Sequence, residues 1–138
     1  NKSFNTSNCG IVTVDPSAMP LSSHMVDGQI MCDFRTLFSA DQTPTSKMVA
    51  GIAYSPAGSY VPAKGHTHDQ DEVYWVIKGT ARIITAESSD DVLVSAGQAV
   101  FIPGNVEHAA VPADPDEEMV LFYVFCDADS FSEIVYKG

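Results

Sequence analysis

The strongest constraint on this chain is its punctuation. Short β-branched and aromatic runs alternate with clusters of Gly, Pro, Asp, Asn and Ser about every ten residues. Ile11-Val12-Thr13-Val14, Gln29–Phe38, Met48–Tyr54, Glu72–Ile77, Ala81–Thr85, Asp91–Val94, Gln98–Ile102 and Glu118–Cys126 all read as strands. Ile134-Val135-Tyr136 reads as a last one. Phe122–Cys126 has the apolarity of a buried helix, but its β-branched and aromatic content favours strand. No repeat and no convincing helix interrupts the pattern. Many short strands at this spacing predict an all-β sandwich or barrel.

A chain of 138 residues is one domain's length. Charge narrows the partners. Seven Lys and Arg against 18 Asp and Glu give a formal net charge of −11. Such a chain repels phosphate backbones and anionic bilayers, so neither nucleic acid nor membrane is expected as a partner. No apolar run is long enough to span a bilayer, and Asn1–Asn8 lacks the apolar stretch of a signal peptide. Cys9, Cys32 and Cys126 are too widely spaced for a disulfide framework, and three free thiols suit a cytoplasmic setting. Asp114–Glu118 is acidic but lacks the alternation and central Gly of a calcium loop, and is read as solvated.

Two segments carry candidate chemistry. In Gly65-His66-Thr67-His68-Asp69-Gln70-Asp71-Glu72, His66 and His68 are two apart, so on a strand both imidazoles face the same side. Asp69-Gln70-Asp71 turns the chain back and brings the Glu72 carboxylate beside them. The second segment, Gly97–His108, ends a strand at Pro103-Gly104-Asn105 and restarts with a third imidazole, His108. Imidazole nitrogens with one carboxylate oxygen suit a divalent transition metal (Fe, Mn, Ni, Co, Zn or Cu) better than Ca or Mg.

These segments resemble the two cupin motifs. His66, His68, Glu72 and Gly79 match the first, HxH, three residues, Glu, six residues, Gly. Gly97, Pro103 and His108 match the second. The matching region lies within residues 58–112. Three turn positions depart from the pattern. Tyr60 stands where the family places a Gly before the first His, Asn105 where a Gly follows the Pro, and Pro112 where an Asn follows the last His. None is a ligand position. The resemblance implies a small cupin double-stranded β-helix, or jelly roll, with metal held by His66, His68, Glu72 and His108. Residues 41–138 would form the barrel, and residues 1–40 an N-terminal extension with first strands that could serve a homodimer.

Four protein ligands leave one or two metal positions open, which marks a catalytic site more than a structural one. A metal-dependent enzyme acting on a small organic molecule is the leading expectation. A dioxygenase-like oxidoreductase is slightly favoured over a non-redox lyase, isomerase or decarboxylase. In the second branch Tyr74 is the general-base candidate, because it shares the strand face of Glu72; an aromatic is common at this offset in cupins, and core packing is the other reading of the residue. Cupin lyases of the dimethylsulfoniopropionate type resemble this arrangement, with a Tyr at the same offset. A non-catalytic small-ligand-binding cupin is the remaining alternative. Tyr60 and Tyr123 are the substrate-pocket candidates, with Phe125 beside them. His24 matches no motif and is read as a surface residue. Trp75 and Glu107 are assigned to outward faces, and the parity of Arg82 is open. Ile30, Met31, Phe34 and Phe38 could cap a partner copy or fill the core.

Overall fold

The structure, a computed structural model, describes residues 4–6, 10–45, 47–128 and 133–137. Cys9 lies outside the described residues. The strands are β1 (Phe4–Thr6), β2 (Val12–Val14), β3 (Ser22–Val26), β4 (Gln29–Phe38), β5 (Met48–Ser55) and β6 (Glu72–Lys78). They continue as β7 (Thr80–Ile84), β8 (Val92–Ser95), β9 (Ala99–Ile102), β10 (Ala109–Pro112) and β11 (Met119–Cys126). One 3-10 turn, Pro16–Ala18, is capped by the Asp15 carboxylate accepting from Ser17 N. No α-helix occurs among the described residues.

Six antiparallel strands form one sheet in the order β3-β4-β5-β11-β6-β9, and β10-β7-β8 form a second. β1 and β2 pair as a separate hairpin. The architecture agrees with the all-β jelly-roll expectation. β3 and β4 belong to the large sheet, so a boundary at residue 40 would fall between the paired strands β4 and β5.

Alternation decides which side chains enter the core. Along β11, Met119, Leu121, Tyr123 and Phe125 are buried while Val120, Phe122, Val124 and Cys126 are only half-buried. That two-residue period excludes the helical reading of this run. Val49, Val76, Ala81, Ile83, Val94 and Ile102 complete a continuous apolar cluster. Burying a Val such as Val49 or Val76 completely contributes about 1.5–3 kcal/mol.

Gly79 joins β6 of the large sheet to β7 of the small one. Its φ of +77° lies in the left-handed region, and an added Cβ would collide with the Glu118 carbonyl. Asn105, one of the departures from the motif, also has positive φ (+66°), which Asn tolerates better than most residues.

One expected strand is absent, one unexpected strand is present, and one open parity is decided. Ile134-Val135-Tyr136 is not a strand; only Lys137 pairs, through two 2.8 Å backbone hydrogen bonds with Thr67. Ser22–Val26 is a strand that its polar start concealed, because an edge strand needs few inward apolar residues. Arg82 faces outward, since its neighbours Ala81 and Ile83 take the buried positions.

Candidate metal centre

The ligand candidates converge because of two local devices. His66 and His108 form an antiparallel bridge, each backbone N–H donating to the other's carbonyl at 3.0 Å. Gly65 permits that approach: an added Cβ would stand 2.8 Å from His108 Cα and closer still to its carbonyl. The second device ties the two loops together. Asn105 N donates to the His68 carbonyl at 2.7 Å, and Gly104 N to Asp71 Oδ1 at 2.7 Å.

His68, His108 and Glu72 are almost completely buried, at 1%, 1% and 3% exposure. His68 Nδ1 lies 3.0 Å from the Gln70 carbonyl, and His108 Nδ1 lies 2.8 Å from the Val106 carbonyl. Carbonyl oxygens only accept, so each Nδ1 must carry the proton, and each Nε2 of a neutral ring offers a lone pair. Those two Nε2 atoms are 3.1 Å apart, and lie 3.2 and 3.1 Å from Glu72 Oε1. Three acceptors therefore face one another. The Tyr74 hydroxyl, 3.0 Å from Glu72 Oε1, is a donor at the edge of the group. His66 completes a triad in which one ligand atom from each imidazole lies within 4.8 Å of the others. A buried knot of lone pairs is costly unless a cation compensates it, and its N and O donors fit a divalent transition metal. The backbone carbonyls behind His68 and His108 set both tautomers, as in known histidine–metal sites.

Burial raises the Glu72 carboxyl, and only hydrogen bonds and positive charge from His108 and His68 hold it below the usual carboxylate range; with both Nε2 atoms unprotonated, a bound cation would have to supply that charge instead. Burial, reinforced by the other imidazoles, pushes His66 down to about 3, so it stays neutral and ligand-competent. Burial, followed by the Glu72 charge, pushes the Tyr74 phenol well above its ordinary value. A phenolate there requires compensating positive charge.

His66 and Glu72 of the cluster line a cavity of about 70 Å³. Tyr74 (β6) and Tyr123 (β11), which are cross-strand partners, line it together with Phe125. Tyr60 does not: its hydroxyl donates to Asp27 Oδ2 at 2.5 Å, away from the cavity walls. That pocket assignment is corrected, because the loop after β5 places Tyr60 against the β3–β4 turn. Met31 and Phe34 also line the cavity.

Sequence reasoning missed His24 and Tyr136. His24 is half-buried, with its ring 6.1 Å from His66 and 5.1 Å from Tyr136. It pairs with Cys32 across β3 and β4, and opposite residues share a face, so both line the cavity. A bulge follows at His24/Met25, and nothing in the sequence announces it. Tyr136 packs edge-on against His66 at 4.5 Å. Cys32 is free and buried, which pushes its thiol up to about 12.

Residues 53–125 match the cupin domain family. Dimethylsulfoniopropionate lyase DddW of Ruegeria pomeroyi is 32% identical over 125 residues, covering 90% of this chain and 77% of the relative. Among solved structures, the polyketide cyclase RemF of Streptomyces resistomycificus superposes with a TM-score of 0.75 at 16% identity, over 91% of this chain and 83% of that one. The DMSP lyase DddQ of Ruegeria pomeroyi gives 0.65 at 19%, over 87% of this chain and 60% of that one.

Proposed function

This chain belongs to the cupin family, and from that premise we propose that it is a metal-dependent lyase. Its substrate would be a small carboxylate with a leaving group on the β-carbon, of the dimethylsulfoniopropionate type. The observation that carries the reading is the Tyr74 phenol, buried beside the ligand cluster and hydrogen-bonded to Glu72. The relationship to DddW supports the substrate class. The oxygen-chemistry branch uses the same four ligands, and a base at this position tips the balance toward elimination.

A divalent metal held by His66, His68, Glu72 and His108 would supply Lewis-acid charge beside the phenol and the substrate carboxylate. Tyr74, as phenolate, takes the proton α to the carboxylate. The electron pair left on that carbon becomes the Cα=Cβ π bond. The Cβ–S bond breaks, its electrons leave with sulfur as dimethyl sulfide, and acrylate remains. The abstracted proton rests on the Tyr74 oxygen, within hydrogen-bond reach of Glu72. Phe34, Leu121 and Phe125 keep bulk water away from the reacting carbons, and aromatic faces suit a sulfonium.

Metal-loaded protein is incubated with dimethylsulfoniopropionate under nitrogen, and dimethyl sulfide is measured in the headspace. Oxygen-independent release is expected, and Tyr74→Phe should lower it about 100-fold or more with metal content unchanged. Absence of release, or release that requires oxygen, refutes the lyase reading. The free Cys32 and Cys126 are in keeping with the expected cytoplasmic setting.

A further inference from the structure

Outside the metal cavity runs a surface groove of about 540 Å³. His24, His66 and Tyr136 line both spaces, so they form the partition between them. His66 is a candidate metal ligand. His24 has no role in the chemistry above, and it makes no side-chain hydrogen bond among the described residues. Its described side-chain contacts are with the rings of His66 and Tyr136. A half-buried imidazole with hydrogen-bonding capacity to spare, set where a cavity meets solvent, can hold a polar ligand group.

The groove adds charge. The chain has only seven Lys and Arg, and two of them, Lys64 and Lys137, line it. Lys137 is held by Asp69 at 3.1 Å, whereas Lys64 has no ion pair among the described residues. Asp27, also on the groove, accepts from Tyr60. In a molecule of net charge −11, this rim offers an anion an approach to the cavity that most of the surface does not.

We infer that His24 is a substrate-binding residue: it donates a hydrogen bond to the substrate carboxylate at the cavity mouth, and Lys64 draws that carboxylate through the groove. The inference rests on the proposed function for the identity of the ligand. It places the carboxylate at the His24 end, and leaves the apolar walls around Phe34 and Phe125 for the sulfonium methyl groups.

The test uses full-length, metal-loaded protein with dimethylsulfoniopropionate and acrylate as probes. Binding is read by calorimetry, turnover by headspace dimethyl sulfide and metal content by elemental analysis. His24→Leu should raise Kd and KM about tenfold or more, with kcat changed less and metal content equal to wild type. His24→Gln, which keeps an N–H donor, should restore most of the loss. Lys64→Gln should lower kcat/KM at low salt and converge with wild type at high salt. Unchanged Kd and KM in His24→Leu overturn the inference while leaving the lyase reading intact. Loss of metal in both His24 variants also overturns it, assigning the residue to the metal shell. A wild type that binds acrylate in a His24-dependent way but releases no dimethyl sulfide refutes only the lyase reading.

Discussion

Replacing Gly65 with Ala tests how the candidate metal centre is assembled. The added Cβ would stand 2.8 Å from His108 Cα. Carbon atoms prefer about 3.5–4.0 Å and the His108 carbonyl carbon stands closer still, so the two segments must part by more than about 1 Å, and backbone cannot rotate aside as a side chain can. The displacement falls on the His66–His108 bridge and its two 3.0 Å hydrogen bonds. Overpacking costs about 1–3 kcal/mol and weakening the two bonds about 1 kcal/mol more, so a loss of about 2–4 kcal/mol is expected. For a chain of this size, about 3–4 °C per kcal/mol makes that a Tm drop of roughly 6–16 °C. The effect on metal should be larger, because ligand distances tolerate only about 0.2 Å of change. Affinity should fall about 100-fold or more, measured by chelator competition against Mn(II), Ni(II) or Zn(II). Ala63→Ser, on an exposed neighbour, serves as the control. A Gly65→Ala protein that keeps wild-type metal affinity would refute the argument that this close approach sets the ligand geometry.

His66→Ala and His108→Ala should each abolish metal retention by elemental analysis; full stoichiometric metal in either variant would undo the ligand assignment. In metal-free protein, stability should fall as pH drops from about 6.5 toward 3. The unfolded chain takes a proton there on His66 that the folded one refuses, since burial holds its folded pKa at about 3. Chemical denaturation across that window should show the slope, and His66→Phe should flatten it; an unchanged slope would remove His66 as its source. A homodimer is expected in solution, with Trp75, Ile77 and Phe101 at its centre because they are 49%, 48% and 58% exposed on β6 and β9. Sedimentation of wild type and Trp75→Glu should show dimer and monomer; a monomeric wild type removes the idea.

Much of the candidate centre was legible because its ligands are local in sequence. His66, His68 and Glu72 lie within seven residues, and Tyr74 shares the strand parity of Glu72. Two-residue alternation likewise announced β6 and β11 and placed Tyr123 and Phe125 indoors. Side-chain period is a property of the strand itself, so it can be read before any partner strand is known. Tyr60 was misplaced because its direction depends on a loop, and loops carry no such period.

Short-range spacing thus carried the all-β class, three of the four candidate ligands and the base candidate, and a second motif carried His108. Tertiary structure alone decided what surrounds them. His24 reached the cavity through the register of β3 on β4 and a bulge beside it. Tyr136 reached it through the Thr67–Lys137 bridge, which joins segments 70 residues apart. The Nε2 atoms of His68 and His108, 40 residues apart, met only because Gly65 lets two backbones touch. Pairings between distant strands depend on the whole chain closing at once, and a one-residue slip would turn each of these side chains to the other face.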